Sequence, residues 1–348
     1  MRSAGTSTGR RTARHRVVAA LLVVAAALLT SGCDLRLETP PAAPLVPDQV
    51  EEIRQRVSAD ALALEVLAER AAEQQVDEAL RAVVAGAGTT SAAHLEALGG
   101  VYDPTPRTPD GTPVTPDGAQ TPSSGTTPTP AVPDPATAEA LVALLVETAA
   151  SARADSATTQ DGPLARLLAS VAVSRSLLAD AVVRATGLEP PPALAPTETL
   201  EPPGTAGLPS AAVASVVQSE DALGLAWEVW AGRSADDVRA RAAQRAVLHR
   251  SRAEAWAEAA EIEGTGLDPR RSWYDLPADL TAAGADPALG QAQLAALEAD
   301  LAADYASLVA VAGEGTRSAL VDALLEASRE HVALGGALVA FPGLPERA

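Results

Sequence analysis

The chain has 348 residues, with 26 basic and 45 acidic side chains, a single cysteine, and neither lysine nor asparagine. The absence of lysine excludes phosphate-binding loops that depend on a lysine and enzymes that form a Schiff base through one. One cysteine excludes an internal disulfide and a cysteine zinc site, and the net charge of −19 argues against nucleic acid as a partner.

The N-terminal segment has the features of a bacterial lipoprotein signal. Five arginines precede the uncharged apolar run 17–29, and small residues follow it up to Cys33. A run of this length is too short to span a bilayer, so we interpret it as the core of a signal peptide. The small residues before the cysteine resemble a lipobox. That resemblance implies that residues 1–32 are removed and that Cys33 carries diacylglycerol and palmitate.

This signal predicts where the mature protein resides. Acyl chains on Cys33 would hold it on the extracytoplasmic face of the cell membrane, with the proline-rich residues 33–48 as a tether. The mature chain has 21 basic and 45 acidic side chains, so an anionic lipid surface would repel its body. The alternative is an ordinary secreted protein that is cleaved near the same position.

Past the tether, the composition alternates between helical and non-helical stretches. Segments rich in Ala, Leu, Val, Arg and Glu have helical spacing, and segments rich in Pro, Thr and Gly separate them. No segment alternates with period two, so we predict no sheet. The segment 103–133 contains nine prolines and is predicted to be a disordered loop. Eight helices are predicted, over residues 49–75, 77–98, 135–155, 163–186, 208–232, 235–263, 286–313 and 316–340.

The two halves of the chain show a faint internal repeat. Residues 58–64 align with residues 219–225, and each half has a long connection between its second and third helices. We therefore predict an all-α fold of two tandem four-helix bundles, over 49–187 and 208–348, joined by the proline-rich linker 188–207. Two helical hairpins with one long crossover are the connectivity of ferritin-like bundles.

Several short motifs in the second half, taken in order, resemble a known family. They are Gln218-Ser219-Glu220, Leu248-His249-Arg250-Ser251-Arg252, Trp273-Tyr274-Asp275-Leu276-Pro277, Asp286-Pro287-Ala288 and Phe341-Pro342-Gly343-Leu344-Pro345. Together they are similar to the actinobacterial ferritin-like domain of unknown function DUF4439, with a divergent copy suspected in the first half. One departure is Asp221, where the family is expected to carry a histidine. The resemblance implies a fold and an envelope setting, but no activity.

Polar residues on the presumed interior faces of the second bundle form the candidate site. A ferritin-like di-iron site needs Glu-x-x-His motifs, and serine or alanine stands three residues before His94, His249 and His331. One hypothesis is a mononuclear iron or zinc site. The favoured hypothesis is an ion-pair network without a cofactor, because an inward arginine repels a cation. The candidate residues are Glu220, His249, Glu298, His331 and Arg245.

No other catalytic motif is evident. Gly86-Ala87-Gly88 and Gly313-Glu314-Gly315 lack the later glycine and the preceding strand of a dinucleotide loop, so we interpret both as helix ends. In the first half, the positions matching Glu220, Glu298 and His331 hold apolar residues, and His94 is predicted to be a hydrogen-bonded helix histidine.

The sequence therefore predicts a lipid-anchored envelope protein that is not an enzyme and that acts as a binding or structural module. Its expected partners are the membrane and an envelope protein or ligand that the sequence does not identify. One alternative is a metal-binding or metal-dependent redox protein that uses the second bundle. A further alternative is a solute-binding lipoprotein, which is disfavoured because such proteins usually have two α/β lobes.

Overall fold

Every regular element in the described part of the chain is a helix. A computed structural model describes residues 47–101, 132–195, 204–205, 207–282 and 286–347. Within these ranges there is no strand, which confirms the predicted all-α fold class. No helix among these residues has the length and apolarity needed to cross a bilayer. The predicted signal peptide and Cys33, with nearly all of the tether and of the proline-rich loop, lie outside the described residues.

Four long helices lie in each half, close to their predicted positions. Those of the first half are α1 (Gln49–Glu73), α2 (Glu78–Ala97), α3 (Ala138–Thr158) and α4 (Gly162–Thr186). Those of the second half are α5 (Ser210–Arg233), α6 (Asp236–Ala259), α8 (Pro287–Val311) and α9 (Glu314–Ala333), with the short α7 (Ala278–Thr281) in the crossover before α8. Single 3-10 turns occur at Pro192–Leu194 and Pro345–Arg347.

Side-chain caps set where most of these helices begin. A capping oxygen accepts a hydrogen bond from a backbone N–H that has no partner within the helix. The caps are Asp48 for α1, Asp77 for α2, Thr137 for α3, Asp161 for α4 and Asp286 for α8. The third helix was predicted to begin at residue 135. It begins at 138 because the Thr137 side chain caps the N–H of Ala140.

Two predicted helices of the second half end earlier than expected, and both corrections have a backbone cause. Helix α6 was predicted to reach residue 263, but it stops at Ala259, and Glu261 then has a φ of 56°. Helix α9 was predicted to reach residue 340, but it stops at Ala333, and Gly335 has a φ of 89°. A left-handed residue cannot continue a right-handed helix.

Helices that are consecutive in sequence pack together most extensively. The pairs are α1 with α2, α3 with α4, α5 with α6, and α8 with α9. Each half therefore contains two helical hairpins, with the long connection between its second and third helices. In the second half, α5 also packs on α8, and in the first half α1 packs on α3.

The two sets of helices also pack against each other. All described residues belong to one compact unit, and α4 contacts α8 and α9 while α3 contacts α9. One hydrophobic cluster contains Leu168 and Val171 of α4 together with Leu301 of α8 and Leu324 of α9. A smaller cluster belongs to the first half alone. The predicted division into domains at 49–187 and 208–348 stays a prediction.

Charged pairs reinforce the contact between the two halves. Arg153 of α3 donates to both carboxylate oxygens of Asp322 in α9, at 2.9 and 2.7 Å. Arg329 of α9 donates to Asp180 of α4 at 2.9 Å. Both pairs are partly exposed, so each contributes only modestly to stability. They connect α9 to α3 and to α4 of the first half.

Candidate functional site

Three of the predicted site residues meet in the interior of the second bundle. Glu220 of α5, His249 of α6 and Glu298 of α8 are all fully buried. The Nδ1 atom of His249 lies 2.6 Å from Oε2 of Glu220, and its Nε2 atom lies 3.1 Å from Oε1 of Glu298. One imidazole therefore bridges two carboxylates from neighbouring helices.

Two aromatic side chains donate further hydrogen bonds to these carboxylates. The hydroxyl of Tyr305 donates to Oε1 of Glu220. The indole N–H of Trp227 donates to Oε1 of Glu298 at 3.0 Å. Both rings are buried, and each donates across the bundle to the acid on the other helix: Trp227 of α5 to Glu298 of α8, and Tyr305 of α8 to Glu220 of α5. A buried carboxylate needs such partners, because burial without them is strongly unfavourable.

Two arginines bring positive charge to the same network. A terminal nitrogen of Arg245 lies 3.4 Å from Oε1 of Glu298, and the other lies 2.7 Å from Oε1 of Glu326 on α9. Arg252, one turn beyond His249 on α6, also pairs with Glu326, and although burial opposes its charge, the charges of Glu220 and Glu326 raise its pKa. The sequence analysis placed Arg245 correctly but missed Arg252. Arg252 follows His249 by three residues, a spacing that places two side chains on the same side of a helix and could have predicted that Arg252 belongs to the network.

The network fixes the charges of its central members. Burial opposes a charge on His249, but the carboxylates of Glu298 and Glu220 overcome it and raise the pKa of the imidazole to about 9. Burial likewise opposes a charge on Glu298, yet His249 and then Arg245 lower the pKa of this carboxyl to about 2. At neutral pH the site therefore contains an imidazolium between two carboxylate groups.

His331 was predicted to belong to the same polar cluster, but it lies outside the network. Its Nδ1 atom lies 2.8 Å from the carbonyl oxygen of Ala295, and its Nε2 atom lies 3.2 Å from that of Ala337. Helix α9 ends two residues after His331, and the chain then folds back over the imidazole. A Cβ atom at Gly336 would lie only 2.3 Å from the ring.

This donor set does not fit a metal ion. Both nitrogens of His249 face carboxylates, and Arg245 and Arg252 already supply positive charge to the acids that would act as ligands. The described part of the chain contains no group of three or more His, Cys, Asp or Glu side chains placed to hold a cation. Among the buried polar side-chain atoms of Glu220, His249 and Glu298, only Oε2 of Glu298 has no hydrogen-bond partner.

Asp221, the departure from the expected histidine, has a structural role. Its Oδ2 atom accepts a hydrogen bond from the hydroxyl of Tyr274 at 2.6 Å, and its Oδ1 atom pairs with Arg250. Burial and the Asp221 carboxylate raise the pKa of Tyr274. The crossover is therefore attached to α5 through the Trp273-Tyr274 motif, whose tryptophan remains exposed.

The first half contains a different buried polar group. Arg175 of α4 is fully buried and donates to the carbonyl oxygens of Thr148 and Val57 at 3.1 and 3.2 Å, and Asp60 lies 3.7 Å away. Burial lowers the pKa of Arg175 to about 10. The burial of this arginine was not predicted from the sequence.

His94 is a buried, hydrogen-bonded histidine on α2, at the junction with the C-terminal segment. Its Nε2 atom donates to the carbonyl oxygen of Ala340 at 2.8 Å, and its ring meets Phe341 edge to face at 5.3 Å. Burial, with a contribution from the charge of Arg175, lowers the pKa of His94 to about 3. The imidazole is therefore neutral, and it links α2 to the C-terminal motif of the second half.

A cleft of about 900 Å³ opens beside the ion-pair network, between α4, α6 and α9. Its charged lining includes Arg184, Arg241, Arg245, Arg329, Glu326 and Glu330. The volume is within the range of small-molecule binding sites. The sequence analysis did not predict the cleft, because its walls come from helices of both halves.

Comparison with known protein families agrees with the resemblance in the second half. Residues 212–346 match the Domain of unknown function (DUF4439). The match covers less than half of the chain, and it begins just after the start of α5. No curated protein and no solved structure matches the chain. The divergent copy in the first half, the ferritin-like assignment and the lipoprotein signal stay predictions.

The DUF4439 segment contains the whole Glu220–His249–Glu298 network but only part of the cleft. The residues Arg241, Arg245, Arg329 and Glu330 lie within it, whereas Arg184 belongs to the first half. The cleft of this chain is therefore a feature of the segment together with its N-terminal neighbour.

Proposed function

We propose that this chain is a lipid-anchored protein of the extracytoplasmic face of the cell membrane whose helical body is a non-catalytic binding module. The observation that carries the proposal is the closed charge network in the DUF4439 segment. Each of its buried carboxylates, Glu220, Asp221, Glu298 and Glu330, has a positively charged partner. Such pairing supports a structural role for the bundle interior and leaves the cleft as the place where a ligand would bind.

The anchor is proposed from the sequence of the N-terminal segment. A short apolar run after five arginines and the lone cysteine after small residues are typical of lipoproteins. Acylation of Cys33 is tested on the full chain by membrane fractionation and by mass spectrometry of the N-terminal peptide. The expected result is a membrane-bound protein whose first residue is a diacylated Cys33. A Cys33→Ala variant is expected to be unprocessed and to lack lipid. An unmodified cysteine in the mature wild-type protein would contradict the anchor.

The non-catalytic role of the network is tested by metal analysis. Full chain purified from membranes without a chelator is expected to contain iron and zinc well below one equivalent. The control is the double variant Glu220→Ala, His249→Ala, which is expected to show the same background. Stoichiometric metal in the wild type that is lost in this variant would overturn the proposal. The alternative of a metal-binding or metal-dependent redox protein would then hold.

A solute-binding role is a second candidate, and the cleft is the observation in its favour. Its volume of about 900 Å³ is enough for a small organic molecule. A solute-binding lipoprotein and a binding module that recognises an envelope component would share this site. A solute-binding lipoprotein would bind a free small molecule, whereas a binding module would recognise a group attached to an envelope component.

A further inference from the structure

The cleft between α4, α6 and α9, counted with its ion-pair partners, has an excess of positive charge in an otherwise acidic protein. Its four carboxylates all have arginine partners: Asp180 with Arg329, Asp322 with Arg153, Glu326 with Arg245 and Arg252, and Glu330 with Arg241. The lining alone has four arginines and four carboxylates. With the direct ion-pair partners Arg153, Arg252 and Glu298, the group comprises six arginines and five carboxylates. The local surplus of one positive charge contrasts with the net charge of −19 for the whole chain.

Two arginines in the lining have unused hydrogen-bonding capacity. Arg184 is exposed and makes no ion pair or hydrogen bond with another described residue. Arg245 is mostly buried, and its Nε atom has no hydrogen-bond partner, with the nearest carboxylate oxygen of Glu330 at 3.7 Å. This Nε atom is shielded from solvent, and the guanidinium of Arg245 is already paired with carboxylates, so Arg184 is the lining arginine most available to a ligand.

The buried network behind the cleft preserves this surplus. The remaining members of the network are Glu220, which contributes one negative charge, and the imidazolium of His249, which offsets it. One net positive charge therefore remains when the network and the cleft are counted together. Arg245 belongs both to this network, through Glu298, and to the lining of the cleft.

The remaining wall of the cleft is apolar. Leu177 of α4, Leu248 of α6 and Leu325 of α9 line it, together with Leu194 from the turn after α4. Leu177 and Leu194 are already buried, whereas Leu248 and Leu325 are half-buried. An apolar group of a ligand would bury Leu248 and Leu325 further, at about 25 cal/mol per Å² removed from water. The cleft thus combines guanidinium groups with a leucine wall.

We propose that this cleft binds a small organic anion that carries an apolar group, with Arg184 and Arg245 contacting its phosphate or carboxylate. Guanidinium groups recognise such anions through paired N–H donors. The leucine wall takes the apolar group and gives selectivity over an inorganic anion. This inference rests on the proposed function as a binding module, and it specifies the chemical class of the ligand.

The test uses calorimetric titration of the full chain in lipid nanodiscs with phenyl phosphate as the probe. Inorganic phosphate tests the contribution of the leucine wall, and benzylammonium tests the sign of the charge. Phenyl phosphate is expected to bind about tenfold more tightly than either, because each comparison removes one of the two contacts. Equal binding of benzylammonium, or no heat with phenyl phosphate at millimolar concentrations, would overturn the inference.

Two matched variants locate the site. Arg184→Gln is expected to weaken phenyl phosphate binding about tenfold, because it removes one charged hydrogen-bond donor. Its thermal unfolding should be unchanged, since Arg184 is exposed and makes no contact that the substitution would break. Arg271→Gln is the control, because Arg271 is also an exposed arginine but does not line the cleft. An equal loss of affinity in both variants would show non-specific attraction and contradict the proposed site.

A third variant separates the apolar contact from the charge. Leu248→Ala is expected to weaken binding of phenyl phosphate about fivefold and to leave binding of inorganic phosphate unchanged. An equal effect on both probes would contradict the role of the leucine wall. If phenyl phosphate does not bind although the chain is acylated and free of metal, this inference fails while the anchored, non-catalytic module stands.

Discussion

The Nδ1 atom of His249 lies 2.6 Å from Oε2 of Glu220, with both side chains fully buried. This contact joins α5 to α6, and the opposite ring nitrogen joins α6 to α8 through Glu298. Three of the four long helices of the second bundle are therefore connected through one charged imidazole. Stability of this bundle should depend on the protonation of that ring.

The first prediction is a loss of stability at alkaline pH. The pKa of His249 is about 9 in the folded protein, above the value of 6.5 in the unfolded chain. Its contribution is therefore fully present below pH 6.5, and it is lost as the pH rises through 9. The difference between these two pKa values corresponds to a contribution on the order of 3 kcal/mol to the free energy of unfolding.

Chemical denaturation of the full chain over pH 6.5 to 9 would measure this loss. A His249→Gln variant is expected to be less stable at pH 7 and to show a much flatter pH dependence. His331→Gln is the matched control, because His331 lies outside the network, and it should retain the wild-type decline. An unchanged decline in His249→Gln would contradict the assignment.

The second prediction is a loss of stability at acidic pH through His94. Burial, together with the charge of Arg175, lowers the pKa of this imidazole to about 3, so the folded protein keeps it neutral. The unfolded chain takes up a proton below pH 6.5, and stability therefore falls as the pH drops toward 3. Between pH 6.5 and 5 the loss should be on the order of 2 kcal/mol.

Replacement by a group that does not titrate tests the origin of this loss. Glutamine at position 94 retains a donor for the carbonyl oxygen of Ala340, so His94→Gln should reduce the acid-induced decrease in the free energy of unfolding. The measurement is denaturation of the wild type and the variant at pH 6.5 and pH 5. Parallel decreases in the two proteins would assign the acid sensitivity to carboxylates instead.

The third prediction concerns the C-terminal motif. Gly343 has a φ of 78°, and a Cβ atom there would lie 2.8 Å from the Cβ of Ala306 and 2.8 Å from a methyl group of Leu324. Gly343→Ala is expected to decrease the free energy of unfolding by about 2 kcal/mol or more, because it combines a steric clash with an unfavourable backbone conformation.

A glycine in open space provides the comparison. Gly86 lies within α2, and no atom would lie within 4 Å of an added Cβ. Gly86→Ala should therefore increase the free energy of unfolding by about 1 kcal/mol through helix propensity. Equal effects of the two substitutions in thermal denaturation would contradict the packing of the motif against α8 and α9.

The fourth prediction tests how the crossover is held. Tyr274→Phe removes the hydroxyl that donates to Asp221 and should decrease the free energy of unfolding by about 2 kcal/mol. Trp273→Phe alters the neighbouring aromatic, which is exposed, and should change stability by less than about 0.5 kcal/mol. If Trp273→Phe lowered the free energy of unfolding more than Tyr274→Phe in denaturant titrations, the hydrogen bond from Tyr274 to Asp221 would not be what holds the crossover to α5.

Helix positions could be predicted because local chemistry sets them. Apolar spacing and the acidic cap at Asp286 predicted α8 within two residues at each end. The interpretation of Gly86-Ala87-Gly88 as a helix end was wrong, since all three residues lie inside α2. Gly88 faces α1, and an added Cβ atom would lie 3.4 Å from that of Ala68. Such an approach depends on packing between helices, which a single sequence does not display.

Those residues of the candidate site that lie on inward helical faces could be predicted from the sequence. Glu220, His249 and Glu298 meet because each lies on the inward face of a different helix. His331 was also placed on an inward face, but the chain turns at Gly335 and covers it with the segment that follows. The cleft could not be found in this way, because it depends on how one half of the chain is placed against the other.

The shared hydrophobic cluster has a consequence for how this protein could have arisen. The DUF4439 match begins at residue 212, whereas the side chains of Leu168 and Val171 pack in one cluster with those of Leu301 and Leu324. A segment excised at that boundary would expose leucines of α8 and α9 to water and would tend to aggregate. The segment that matches the family is thus smaller than the compact unit formed by the described residues, and side chains of the two halves must stay complementary where they share this cluster.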